Sequence, residues 1–422
     1  MPFDLDQIAP AQPVPPVKVA WAAWLLLLVL IVAAGAAALL FGARRFLPTT
    51  PVAFWLTVPG LPALGWLILL CFAIGRQQAR QTAAQDINLQ RAVETGHALK
   101  VASIPLAVLA AAYQLDALAV KISSASVAER ITRRQPQLRH SADPQTVDAR
   151  WLEAPGRAWL PDMLDEPRQQ AVLAWALEAL FKQIKPALAA LPEGVALRVF
   201  LHVDTQVADE AVRALWQDAW AKYASHLPAS APVIARGLAA LSTAEAWLER
   251  GDQPGQVPPT LLFALQLRPL LQALPPAGSA EAAVMLLLAG TDAVRRFGLQ
   301  PSAALHRPER RAPDRIEHGL RHALRWSGLT GATIAHQWLT GGAESAAQQA
   351  LLSVFEKHPV GVRQTPELRG QHDLDRAIGN TGVAGEWLAV ALVAEHLKGT
   401  GVPQLVAPET DGQITLAVIT LF

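Results

Sequence analysis

Cys71 is the only thiol in the chain, which rules out an internal disulfide framework and a cysteine-rich metal site. The other side chains able to do chemistry fall in a few short stretches. His318 and His322 stand four apart, a spacing that can bind metal from one helix face. No Glu follows in the zincin pattern, and Arg315, Arg321 and Arg325 crowd the same stretch, so a solvated helix face and no metal site are expected. His372, Asp373 and Asp375 form a polar cluster before Gly379, where turn and cap roles are expected. Ser242 has no Gly-x-Ser-x-Gly elbow around it, so a serine hydrolase is not indicated. Gly341-Gly342 leads into Glu344 with no Gly-Lys-Ser/Thr after it, so it is not a phosphate-binding loop. No cofactor is expected.

These residues lie in a chain whose second part is written twice. Leu191–Thr205, with an apolar run from Val195 to Val203, leads into a helical run from Ala208 to Tyr223. Leu329–Gly341 leads likewise into a helical run from Ala343 to Lys357. Gly237–Leu248, with a small, apolar helix expected over Leu238–Leu248, is echoed by Gly385–Leu397. Paired apolar runs close each copy: Thr260–Leu267 with Ala280–Ala289, and Gln404–Ala407 with Gln413–Leu421. Ile104–Ala111 is too short to cross a membrane and fits a buried strand. Helices alternating with strands, each half ending in a hairpin, indicate a layered α/β domain with mixed sheets.

Ahead of the duplication, Val19–Phe41 and Val52–Gly75 carry no charge. About 20 apolar residues suffice for a helix to cross the hydrocarbon core. Trp21, Trp24, Trp55 and Trp66 stand where interfacial aromatics should, and Val58-Pro-Gly-Leu-Pro62 should kink the second helix. Asp4 and Asp6 do not suit the basic start of a cleaved signal peptide, so two spans are expected. The chain ends of this hairpin carry Lys18, Arg76, Arg80 and Arg91 against Arg44 and Arg45 in its loop, four to two. That favours a cytoplasmic soluble domain at a bacterial inner membrane. Arg130, Arg133, Arg134 and Arg139 form a basic cluster in a long surface loop over 125–168. With 36 basic and 35 acidic residues and no basic stripe interleaved with aromatics, nucleic acid is not an expected partner. The expected division is a tail 1–17, a transmembrane hairpin 18–75, a linker or juxtamembrane helix 76–96, and two halves, 97–290 and 291–422.

Three stretches resemble a known family. Gly379-Asn-Thr-Gly-Val-Ala-Gly385 is similar to the Gly-His-Thr-x-Ala-Ala-Gly motif of the β-ketoacyl synthases, in the thiolase superfamily. Trp338-Leu-Thr-Gly341 stands where the family has His-Gly-Thr-Gly, and Gly278–Leu288 resembles its Glu-Gly-Ala strand. The resemblance implies the layered αβαβα thiolase-like fold, itself built from two duplicated halves. It also implies a homodimer, and a site where a cysteine is acylated at a helix start beside two histidines. Ala231–Leu241, the stretch matching the nucleophile, holds no Cys, Ser or Thr. Asn380 replaces one histidine and Trp338 the other, with His336 two residues upstream. Asp375 or Arg376 replaces a lysine. By this resemblance the vestigial pocket comprises Val233, Ile234, Ala235, His336, Trp338, Thr340, Asn380 and Thr381, with no catalytic residue among them.

The expectation drawn is therefore a membrane-anchored, catalytically inactive thiolase-like protein. It would act as adaptor or scaffold for an unidentified protein partner in a bacterial envelope complex, with a type VI secretion apparatus suggested by analogy alone. The alternative is an acyl-thioester-binding protein or divergent acyltransferase that keeps an acyl ligand in the old pocket. A channel component ranks last, because the two spans carry no charge to line an ion path.

Overall fold

The computed structural model of the chain describes residues 11–16, 18–42, 50–116, 127–133, 149–156, 164–228, 231–237, 240–249, 255–342, 345–358, 360–364 and 368–422. The chain forms two compact units, Phe3–Ala98 and Leu99–Phe422.

In the first unit α1 (Trp21–Gly42) is followed by α2 (Pro51–Thr57) and α3 (Gly60–Ala102). The Pro-Gly-Leu-Pro run, where a kink is expected, divides the segment into two helices at Val58-Pro59, since Pro has no N–H for the helix ladder. A Cβ on Gly35 would lie 2.4 Å from the Pro62 ring, so α1 and α3 approach closely there. The Trp66 indole donates to the Trp24 carbonyl at 2.9 Å. The two helical segments Trp21–Gly42 and Pro51–Ala102 are long and apolar enough to cross a membrane. The stretch 76–96 is part of α3, so of the two expectations for it the helix is the one observed.

The second unit opens with β1 (Leu106–Gln114) and α4 (Val127–Thr132), then α5 (Asp165–Ala189), β2 (Arg198–Asp204), α6 (Asp209–Tyr223), β3 (Val233–Ala235), α7 (Thr243–Glu249), β4 (Thr260–Gln266) and β5 (Ala282–Gly290). After α8 (Thr291–Phe297) come β6 (Ala303–Leu305), β7 (Glu309–Arg311), α9 (Ile316–Ser327), β8 (His336–Thr340), α10 (Ala346–Lys357), α11 (Gly361–Gln364), β9 (Gln371–Asp373), α12 (Leu374–Ile378), α13 (Gly385–Thr400), β10 (Gln404–Thr410) and β11 (Gln413–Thr420). The main strands run in the order β3-β2-β4-β5-β1-β6-β11-β10-β8-β9. The two ends of this path mirror each other. β2 is parallel to β3 and β4, and β4 is antiparallel to β5 and β5 to β1. β8 is likewise parallel to β9 and β10, and β10 is antiparallel to β11 and β11 to β6. The duplication read in the sequence is thus a duplication of strand order, and β1 pairs with β6 where the halves meet.

Three apolar layers separate the elements. α5 and α6 cover one face of the first half through Phe181, Trp216 and Phe263. α9 and α10 cover one face of the second through Leu320, Leu351 and Val418. Between the two halves lie α7 and α13, with Trp247, Trp338 and Trp387 in the shared core. The layers are therefore helices, sheet, helices, sheet, helices. β4 and β5 are buried at every position because helices cover both faces, which is why their sequences are continuous rather than alternating apolar runs. The stretch Trp387–Ala394 of α13 is apolar all round for the same reason.

Some local expectations need correcting. The small apolar helix expected over 238–248 begins at Thr243, and residues 238 and 239 lie outside those described. The His318/His322 face is not uniformly solvated. His318 is exposed, but His322 is buried against Trp326, with the Glu309 carboxylate of β7 3.8 Å away. Of the basic cluster, Arg130 is buried and Arg133 pairs with Glu129 on an exposed face, while Arg134 and Arg139 lie outside the described residues.

Candidate functional site

Where β8 and β10 end, two loops and the start of α13 enclose a cavity of about 190 Å³. The loop after β8 turns at Gly341, whose φ of +96° and whose distance of 1.9 Å from an added Cβ to the Glu409 carbonyl admit no side chain. The Asp375 carboxylate pins this turn, accepting from Thr340 Oγ1 and from Gly341 N, each at 2.7 Å. The second loop carries Asn380. Its backbone N donates to Gly278 O at 2.7 Å and its carbonyl accepts from Ala280 N at 2.8 Å, so the β4–β5 loop of the first half holds a residue of the second. The Asn380 side-chain Oδ1 accepts from Gly382 N at 2.9 Å, which leaves the amide NH2 as the end that can donate.

Gln266, at the end of β4, fills the space a side chain on Gly382 would need. Its amide donates to Asp204 Oδ2 at 2.7 Å and accepts from Val383 N at 3.1 Å. Replacement of Gln266 by Ala leaves the buried Val383 N–H unpaired. The expected loss is about 1–3 kcal/mol of stability, measured by urea denaturation.

Glu386 sits in the first turn of α13 and is 7% exposed. One carboxylate oxygen accepts from Thr410 Oγ1 at 2.5 Å, and the other accepts from Leu241 N, just before α7. Burial pushes the Glu386 carboxyl above the ordinary carboxylate range, while the Thr410 and Leu241 hydrogen bonds pull the other way. The cavity wall therefore holds the Glu386 carboxyl, two threonine hydroxyls, an amide donor and two further carboxylates, Glu409 and Asp411.

The residues expected in one pocket are divided. Thr340 and Asn380 line the cavity, and Thr381 is buried behind it, its Oγ1 3.2 Å from where a Gly385 Cβ would stand. His336 and Trp338 share a face of β8 with Thr340 by strand alternation, but His336 lies four residues away, about 13 Å along the strand at roughly 3.3 Å per residue. His336 Nδ1 there meets His372 Nε2 at 2.9 Å, beside His396 near the end of α13. Trp338 is fully buried and donates to Gln404 Oε1 at 2.7 Å. Val233, Ile234 and Ala235 form the edge strand β3, with Val233 56% exposed, and none of them lines the cavity. The first half instead meets Glu386 through the Leu241 N–H. Asp373 caps α12 by accepting from Arg376 N at 3.0 Å. Among the described residues no group of three or more His, Cys, Asp or Glu side chains could hold a metal ion.

Neither Glu386 nor Thr410 was singled out from the sequence. A signal for the first exists: it is the sole charge between Arg376 and Glu395, inside an otherwise small and apolar helix. Such a charge is retained only where partners await it.

No family model matches the chain, and no curated protein sequence does. Solved structures do. The ketosynthase from module 6 of the bacillaene synthase of Bacillus subtilis 168 superposes with a TM-score of 0.52 at 10% identity, over 75% of this chain and 72% of that one. The fold is that of the ketosynthases. The ishigamide ketosynthase/chain length factor matches this ketosynthase fold at a TM-score of 0.50 and 15% identity, over 75% of this chain and 99% of its own. Ketosynthase twelve of the bacillaene polyketide synthase in Bacillus amyloliquefaciens matches at 0.50 and 12%, over 76% and 74%.

This likeness corrects the expectation that the chain is not an enzyme, because the structures sharing its fold are ketosynthases. That expectation rests on the missing thiol in 231–241 together with Asn380 and Trp338 in place of the two histidines and Asp375 or Arg376 in place of the lysine. The missing thiol excludes one covalent route and leaves untouched the carboxyl and hydroxyls that the ketosynthase frame brings together here.

Proposed function

We propose that the unit Leu99–Phe422 receives the acyl end of a short, uncharged acyl thioester in the cavity between Thr340, Asn380 and Glu386. The observation that carries this is Glu386 itself, a buried carboxyl with two hydrogen-bond partners at a cavity in a ketosynthase fold. At ~30 Å³ per water molecule the cavity has the room of about six waters, which suits an acetyl or butyryl group and not a long chain. Glu386, Glu409 and Asp411 on its wall disfavour an acyl group bearing its own carboxylate. The apolar segments α1 to α3 anchor this unit to a bacterial inner membrane, with the unit on the cytoplasmic side, in the reading favoured by the flanking arginines.

Titration of the full chain in detergent with acetyl- and butyryl-coenzyme A, followed by calorimetry, tests the reading. Saturable binding is expected, weakened at least tenfold when Asn380→Phe fills the cavity, and weaker for malonyl-coenzyme A. Equal heats for wild type and Asn380→Phe would sink it. The scaffold role in an envelope or type VI secretion complex draws no support from the cavity. Recovery of one specific protein partner from native membranes, with no acyl thioester bound, would favour that role instead.

A further inference from the structure

We infer that Thr410 and Glu386 form a nucleophile–base pair, and that the acyl group of a neutral short-chain thioester is transferred to Thr410 Oγ1. The inference rests on the acyl-thioester reading above and assigns the reacting atoms within it. Thr410 ends β10 at the cavity wall, and its hydroxyl donates to Glu386 at 2.5 Å. Both side chains are buried, at 8% and 7% exposure. Leu241 N holds the other carboxylate oxygen, so the base is oriented by a third group, as activated hydroxyl nucleophiles require. A carboxylate has about four acceptor sites, and these two contacts occupy two. The start of α13 favours the ionised form, and burial opposes it.

The other cavity hydroxyl is not available for the same task. Thr340 Oγ1 donates to Asp375, whose second oxygen is engaged by Gly341 N as part of the turn. The Asn380 amide is the donor placed to meet a developing oxyanion, because its Oδ1 is already held by Gly382 N.

The steps balance with the thioester and water alone. Thr410 Oγ1 bonds to the thioester carbonyl carbon as its proton passes to Glu386. The carbon–sulfur bond then breaks, and the leaving thiolate takes that proton and departs as a thiol, leaving an acyl ester on Thr410. Water next attacks the ester carbon while Glu386 takes its proton. Thr410 Oγ1 leaves, recovers that proton, and a carboxylic acid is released.

The full chain in detergent is incubated with acetyl-coenzyme A, then assayed for thiol release and, after an acid quench, for intact mass and peptide mass. The expected result is thiol release with a transient single-acetyl gain mapping to Thr410. Both are lost in Thr410→Val, which keeps the side-chain shape, and both are restored in Thr410→Ser. Glu386→Gln should slow thiol release by roughly a hundredfold or more. Circular dichroism and acetyl-coenzyme A binding show whether each variant is folded. Thiol release that persists in a folded Thr410→Val, or an acetyl group on another residue, overturns the pair. Binding with neither adduct nor thiol release also overturns the pair but leaves the binding reading standing. Absence of any binding removes both.

Discussion

Replacing Arg168 by Ala is expected to destabilise the unit Leu99–Phe422 by about 3–5 kcal/mol, the cost of leaving a buried charge without its partner. Arg168 lies on α5 at 2% exposure, and Glu281 at 1%. The guanidinium reaches the Glu281 carboxylate through two bonds, Nη1 at 3.1 Å and Nη2 at 2.6 Å. It also donates to the Arg268 and Leu152 carbonyls, each at 3.3 Å. Glu281 in turn accepts from Leu152 N at 2.9 Å and Arg268 N at 2.7 Å. One turn earlier on α5, Asp165 accepts from Leu270 N at 2.7 Å and from Leu271 N and Gln272 N, both at 3.0 Å. The loop between β4 and β5 is therefore hung from α5 by charged groups that have left water, and it has little apolar packing of its own to fall back on.

Glu281→Ala should cost as much as Arg168→Ala, and the double replacement little more than either, because the residues form one pair. Arg168→Met with Glu281→Leu should regain only part of the loss, since Leu152 N and Arg268 N would then lack an acceptor. Urea denaturation followed by tryptophan fluorescence measures all four. Losses under about 1 kcal/mol for both single variants would show the pair to be dispensable, as surface pairs usually are. Because Gly278 and Ala280 of this loop hold the backbone of Asn380, the same variants should weaken acyl-thioester binding even when they are folded.

The layered fold could be read from the sequence because burial on both faces leaves a local trace. β5 is Ala-Ala-Val-Met-Leu-Leu-Leu-Ala-Gly without interruption, and α13 is apolar for most of its length, so each announces helices or strands on every side. The duplication could be read as well, since corresponding elements carry corresponding runs. The cavity is a different matter. Glu386 meets Leu241 across 145 residues of chain and Thr410 across 24, and no local pattern encodes either contact. Motif position brought Thr340 and Asn380 into the expected site, yet it also brought in His336, Trp338 and Val233–Ala235. The length of β8 puts His336 at the far end of α13, and pairing with β2 puts Val233 at an exposed edge. His322 shows the same effect in small. An arginine-rich helix looks solvated in one dimension, but its i, i+4 partner faces Trp326 and Glu309. Motif positions that lack the family's cysteine, histidines and lysine say nothing of Glu386 and Thr410, which come together from outside those positions.

Stability is expected to fall steeply as the pH is lowered from about 6.5 towards 4, over the window set by buried histidines. Burial drives His306 down to about 4, and His336 down to about 4 with His396 adding repulsion. Burial also lowers His202. In the unfolded chain each returns to about 6.5. Between these limits the unfolded state takes up protons that the folded state refuses, so acidification favours unfolding, and below about 4 these groups add nothing further. At about 1.4 kcal/mol per pKa unit, His306 contributes on the order of 3 kcal/mol to the change, and the half-buried His336 less, because solvent screens it.

The buried acids work in the opposite direction. Burial raises Glu386 and Asp373, so each binds its proton more readily when folded and offsets part of the loss as the pH falls. Urea midpoints of wild type, His306→Gln and His336→Gln at pH 7.5, 6.0 and 5.0 separate the contributions. Each variant should lose less stability between pH 7.5 and 5.0 than wild type, whatever its stability at pH 7.5. Equal losses in all three proteins would assign the acid sensitivity to other groups. At the His336 position the neighbours sharpen the expectation. A proton on His336, which meets His372 at 2.9 Å, must stand against His396, whose Nδ1 lies 3.2 Å from Gln404 Oε1, and Gln404 also accepts from Trp338. Loosening at that end of α13 should therefore change Trp338 emission, and His336→Gln should move that change to lower pH.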